Sequence, residues 1–162
     1  MTTVVLGLGN ILLGDEGVGV RVVEALAARY DLPPEITVID GGTSGMDMMD
    51  MLAGLDELIV VDALRTDKPP GTIVHLSGDA VPALFRTRIS PHQLGLSEVL
   101  GALALLDEAP KSLTLVGVAP LDLDLGMTLS PTIAAQLDPL VERVVADLRD
   151  RGHQVSRKPE HA

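Results

Sequence analysis

The chain alternates short apolar runs with longer stretches of helical periodicity. Thr3 to Leu8 reads as a first strand and ends in Gly7-Leu8-Gly9-Asn10; an uninterrupted apolar run closed by glycine is the pattern of a strand buried on both faces. From about Gly17 to Arg29, Val18, Val22 and Leu26 fall on one face and Arg21, Glu24 and Ala28 on another, as in an amphipathic helix. Ile36 to Ile39 reads as a second strand stopped by Asp40-Gly41-Gly42, Leu58 to Val61 as a third ending on Asp62, Gly71 to Leu76 as a fourth and Leu113 to Val118 as a fifth. A methionine-rich helix is expected from Gly45 to Leu52. Another is expected to run from a Ser90-Pro91 start to about Leu106. The last helix carries the stripe Ile133, Leu137, Leu140, Val141, Val144, Val145 and Leu148, opens at Ser130-Pro131 and stops at Gly152. Pro139 should kink or split it. Strands alternating with helices predict one α/β domain over residues 1–152, with 153–162 as a polar tail expected to be disordered.

Composition narrows this picture. At 162 residues and 46% apolar, the chain can bury one sizeable core but not two. With one Tyr (Tyr30), one Phe (Phe85) and no Trp, that core is aliphatic. The lack of cysteine excludes disulfides, thiolate metal sites and a cysteine nucleophile. No apolar stretch reaches membrane-spanning length and no signal peptide precedes the first strand, so a cytoplasmic protein is expected. The net charge is −11, and Arg149, Arg151, Arg157 and Lys158 all lie near the C-terminal end, leaving the rest more acidic still. Such a body repels nucleic acid and anionic membrane, and favours cations or basic segments as partners.

In an open parallel sheet, ligands bind beyond the carboxyl ends of the strands. Asp40 and Asp62 stand at two such ends, and Glu16 lies in the loop after the first strand. His92, in the first turn of a helix, is kept neutral there by the dipole, and neutral imidazole is the form that binds metal. Glu16, Asp62 and His92 together would make a mixed oxygen and nitrogen set suited to nickel or zinc, with positions left for water or substrate. Each has an ordinary structural role as well: Glu16 complementing a dipole, Asp62 or Asp40 forming a turn, His92 ending a helix. Gly7-Leu8-Gly9 begins like a dinucleotide fingerprint, but Leu12 stands where the third glycine belongs. Met46, Met48, Met49 and Met51 suit core filling or peptide docking. Ser44 lacks the flanking glycines of a nucleophile elbow, so a serine triad is not expected.

Taken in order, these motifs resemble those of the nickel-iron hydrogenase maturation endopeptidases. Gly7 to Gly19 (GLGNILLGDEGVG) is similar to that family's opening motif, Asp40-Gly41-Gly42-Thr43-Ser44-Gly45 to its second, Val60-Val61-Asp62-Ala63 to its third and Ser90-Pro91-His92-Gln93-Leu94-Gly95-Leu96 to its fourth. The likeness continues through Leu113 to Val118 and Leu129-Ser130-Pro131-Thr132. It implies a phosphorylase/hydrolase-like three-layer α/β/α domain on a mixed five-stranded sheet whose fourth strand is antiparallel. It implies an aspartyl-type endopeptidase acting on the hydrogenase large-subunit precursor, whose C-terminal extension is removed after nickel insertion. Glu16, Asp62 and His92 are the implied metal ligands and catalytic residues; Asp40, Gly41 and Gly42 are assigned to substrate recognition. The nickel either arrives with the substrate, the preferred version, or belongs to the protease; no organic cofactor is expected, and a monomer would suffice. A non-catalytic nickel-delivery protein is the alternative.

Overall fold

The computed structural model describes residues 2–42, 48–78, 80–81 and 91–159, with the backbone alone for 91–95. In chain order the elements are β1 (Thr3–Leu8), a 3-10 turn (Gly14–Gly17), α1 (Val18–Arg29), β2 (Tyr30–Asp31), β3 (Ile36–Gly42), α2 (Met49–Leu52), β4 (Glu57–Ala63), β5 (Ile73–Ser77), α3 (Pro91–Leu105), β6 (Ser112–Val118), α4 (Pro131–Ala134), α5 (Leu137–Asp150) and β7 (Ser156–Arg157). The five-stranded sheet has the order β3-β1-β4-β6-β5. Its strands are parallel except β5, which runs antiparallel to β6, as the sequence motifs imply.

β1 and β4, at the sheet's centre, are buried at every position and mostly apolar because both faces are covered. Val5, Ile59, Val61 and Val116 pack under α1, α4 and α5, where Val22, Leu26, Ile133, Leu140 and Val144 meet them. Val4, Leu6, Leu58, Val60 and Leu115 face the other way, onto Leu52 of α2 and Leu96, Val99 and Leu103 of α3. Two apolar clusters on opposite faces of one sheet make the three-layer α/β/α architecture.

Two local expectations change. The last helix is split, but ahead of Pro139 rather than at it: α4 ends at Ala134, and Pro139 sits in the first turn of α5, where its missing N–H costs nothing. The Ser90 cap, the start of the methionine-rich helix and Ser44 lie outside the described residues. The chain beyond Gly152 is not a loose tail as far as residue 159. Gly152, at φ +92°, closes α5 with the paired bonds of a Schellman motif, Gly152 N–H to Arg149 O at 3.0 Å and His153 N–H to Leu148 O at 3.1 Å. His153 and Val155 are then buried, and β7 pairs with β2. Composition hid this because one apolar side chain among polar ones leaves no periodicity to read.

His153 belongs to a polar knot at the amino ends of the parallel strands. Its Nε2 lies 3.1 Å from Thr3 Oγ1 and 3.5 Å from the buried Glu57, whose other oxygen is 2.6 Å from Arg151 Nε. Its Nδ1 is 3.3 Å from Glu35. Glu35 is held below the usual carboxylate range by a backbone N–H and then by this histidine. Nearby, Asp56 is likewise lowered by the Thr2 N–H and then by the Lys111 ammonium. Ending the chain at Gly152 would expose the site that Val155 fills and remove one partner of Glu57. A loss of about 2–3 kcal/mol is expected from the apolar term alone, seen as a thermal midpoint lower by roughly 5–10 °C; an unchanged midpoint would show the segment to be ornamental.

Candidate active site

The carboxyl ends of β1, β3 and β4 form one rim, and three glycines set how closely its parts approach. A Cβ at Gly19 would lie 2.2 Å from Val61 O and 2.5 Å from Leu8 O, and one at Gly7 would lie 2.5 Å from Gly19 O. Helix α1 is therefore pressed directly onto β1 and β4 at its first turn, carrying the preceding 3-10 turn to the sheet. Gly9, at φ +123°, is the point of contact: a Cβ there would meet Glu16 O at 1.8 Å and Asp62 Oδ1 at 3.7 Å. The glycines that imitate a nucleotide fingerprint serve backbone approach instead.

Asp62 is 1% exposed. It lies within β4, paired with Gly117 of β6, rather than in a turn beyond the strand. Glu16 is partly exposed in the 3-10 turn. The backbone of Glu16 and the carboxylate of Asp62 thus both close on Gly9. Among the described residues no three His, Asp or Glu side chains form a metal-binding group, and the His92 side chain lies outside the described residues. Its helix can nevertheless be followed. The chain leaves α3 with Glu108 N–H on Leu103 O at 2.8 Å, passes Leu55 and enters β6 at Ser112 opposite Glu57. The far end of α3 is therefore at the amino ends of the parallel strands. A 15-residue helix, about 22 Å long, carries its first turn, with His92, back toward the carboxyl rim.

Asp40, Gly41 and Gly42 lie in β3 itself rather than beyond it. Asp40 is exposed and accepts the Gly42 N–H at 3.0 Å, while Gly42 O accepts the Gly9 N–H at 2.9 Å. A Cβ at Gly41 would strike Leu6 Cδ1 at 2.7 Å. A cleft of about 310 Å³ opens here, lined by Gly9, Asn10, Ile11, Leu12, Val20, Asp40 and Gly42. Two of its seven lining residues are glycine, so a ligand's main chain can approach the backbone closely there.

One residue of this rim escaped the sequence reading. Asp15, fully buried, accepts four hydrogen bonds: from Leu121 N–H at 3.0 Å, Asp122 N–H at 2.8 Å, Ser130 N–H at 2.7 Å and Ser130 Oγ at 2.7 Å. It ties the loop between β6 and α4 to the turn that bears Glu16. Its only sequence signal is an acid next to another acid in a glycine-rich segment, which does not tell which of the two turns inward.

Comparisons with known proteins place the chain in a family. The HycI hydrogenase maturation protease family model matches residues 20–147, a span that holds Asp40, Asp62 and His92 and begins just after Glu16. The chain is 51% identical over 153 residues to the hydrogenase 2 maturation protease of Escherichia coli, covering 94% of this chain and 93% of that one. It is 42% identical over 156 residues to the hydrogenase expression/formation protein HupD of Bradyrhizobium diazoefficiens, covering 95% and 81%. Its fold superposes on the hydrogenase maturating endopeptidase HybD from E. coli with a TM-score of 0.95, at 48% identity over 98% of both chains. The [NiFe] hydrogenase maturation protease HybD from Thermococcus kodakarensis follows at a TM-score of 0.76 and 28% identity, covering 90% of this chain and 98% of that one.

Proposed function

Since the chain belongs to the hydrogenase maturation proteases and is an endopeptidase of that kind, we propose that it removes the C-terminal extension of a nickel-iron hydrogenase large-subunit precursor, with Glu16, Asp62 and His92 reading the nickel that the substrate carries. The observation that supports this most is the convergence on Gly9, at the carboxyl rim, of the turn that bears Glu16 and the buried Asp62 carboxylate. Two carboxylates and an imidazole form a donor set suited to a borderline divalent ion. A set completed by the substrate's own metal would hold back cleavage until the metal had been inserted. The nickel-carrier alternative gives no reason for a glycine-lined cleft beside the acids.

In the cleft the precursor's C-terminal segment lies extended between Gly9–Leu12 and Asp40–Gly42. Backbone carbonyls and N–H groups approach it closely where no side chain intervenes, and the exposed Asp40 carboxylate faces basic or N–H groups of the peptide. For hydrolysis, one rim carboxylate takes a proton from water as its oxygen attacks the scissile carbonyl carbon. The proton then passes to the departing amine as the C–N bond breaks. The substrate-borne nickel supplies positioning and polarisation near the scissile bond. The working place is the cytoplasm, in keeping with the absence, among the described residues, of a helix long and apolar enough to cross a membrane.

Incubating the protein with purified precursor, with and without nickel, and weighing the products intact tests this directly. Loss of one C-terminal peptide from the nickel-loaded form alone is expected. Equal cleavage of both forms would remove the metal-reading role, and cleavage of neither would remove the substrate assignment.

A further inference from the structure

The loop between β6 and α4 meets the segment after β1 as a miniature parallel pair. Leu13 is bridged to Gly126, with Gly14 N–H on Gly126 O at 2.8 Å and Gly126 N–H on Leu12 O at 2.8 Å. This register sets Leu12 beside Leu125, with Met127 directly beyond Gly126. All three are exposed, at 49%, 85% and 59%, unusual for large apolar side chains grouped together. Leu12 also lines the cleft with Asp40, so this group of exposed apolar side chains begins at the candidate active site. The exposed Asp122 and Asp124 border it.

Resting on the reading above, we propose that Leu12, Leu125 and Met127 form the docking strip for the precursor segment next to the scissile bond, an extended apolar stretch flanked by basic side chains. Three features favour that occupant. The Leu12 end of the strip lies in the cleft beside the candidate active site. Its acidic borders, in a chain of net charge −11, attract a basic flank and repel a second copy of this chain. Three side chains also fall well short of the roughly 800 Å² per partner that a stable dimer buries. The strip is held firm before binding, because Asp15 fastens its loop through Leu121, Asp122 and Ser130. The same clamp adjoins Glu16, so docking here fixes the peptide relative to the acid that reads the metal.

The test is the double variant Leu125→Ser, Met127→Ser, measured against nickel-loaded precursor by biolayer interferometry and by cleavage kinetics. Expected are an unchanged melting temperature, a fall in affinity and rise in KM of about tenfold or more, and kcat within about twofold of wild type. Wild-type affinity in the variant would overturn the strip whether or not the precursor is cut. So would a wild-type dimer, seen by light scattering, that the variant splits into monomers. Binding lost in the variant while wild type fails to cleave would leave the strip standing and remove the protease reading instead.

Discussion

Glu16→Gln and Asp62→Asn are each expected to slow release of the C-terminal peptide from nickel-loaded precursor by about a hundredfold or more, while the protein still folds and binds the precursor. Both substitutions keep the shape of the side chain but exchange one accepting oxygen for an NH2 group and remove the negative charge, which is what a metal ligand or a general base needs. Asp62 is the more exacting position, since its carboxylate is almost wholly enclosed beside Gly9 and cannot be replaced by solvent. If the acids act as one unit, the double variant should be little slower than the worse single one. Single-turnover cleavage followed by intact mass reads this. Rates within a few-fold of wild type for both variants would show that the chemistry lies elsewhere on the rim. His92→Ala belongs in the same series.

The second large effect is expected at Asp15→Ala. Removing this carboxylate strands three backbone N–H groups and a hydroxyl in a place from which water is excluded, each uncompensated donor costing about 1–3 kcal/mol. Partial relaxation brings the sum to about 3–5 kcal/mol, or a thermal midpoint lower by roughly 10 °C. Cleavage should fall as well, because the turn bearing Glu16 loses its brace. Asp15→Asn separates the two effects: it keeps one accepting oxygen but presents an NH2 group to donors, so it should recover part of the stability and less of the activity. A melting curve for Asp15→Ala that overlays wild type would mean that the loop is held by its other contacts.

The buried strands and the long helices could be read directly from the sequence, because a parallel sheet covered on both faces writes itself as unbroken apolar runs. Leu58–Val61 and Leu113–Val118 are found within one residue or so of β4 and β6. Glu57 was left out of its strand because it is polar; its burial is stabilised by Arg151, a partner that no local pattern reveals. The β2–β7 ribbon escaped for a similar reason, since two-residue strands carry no period. At the rim, the motif order singled out Glu16, Asp62 and Asp40. The sequence could not show that Asp62 lies inside its strand, or that Asp15 faces inward while its neighbour does not. Those outcomes depend on backbone approach at Gly9 and on a loop more than a hundred positions away.

The knot of Thr3, Glu57, Arg151 and His153 stands at the amino ends of the parallel strands, a full strand length, about 20 Å, from the rim with Asp62. The ribbon that follows it brings the chain out on that same side. A protein tethered to a bead or sensor surface through its C-terminal end would thus stand with its cleft turned outward, open to a partner as bulky as a hydrogenase subunit.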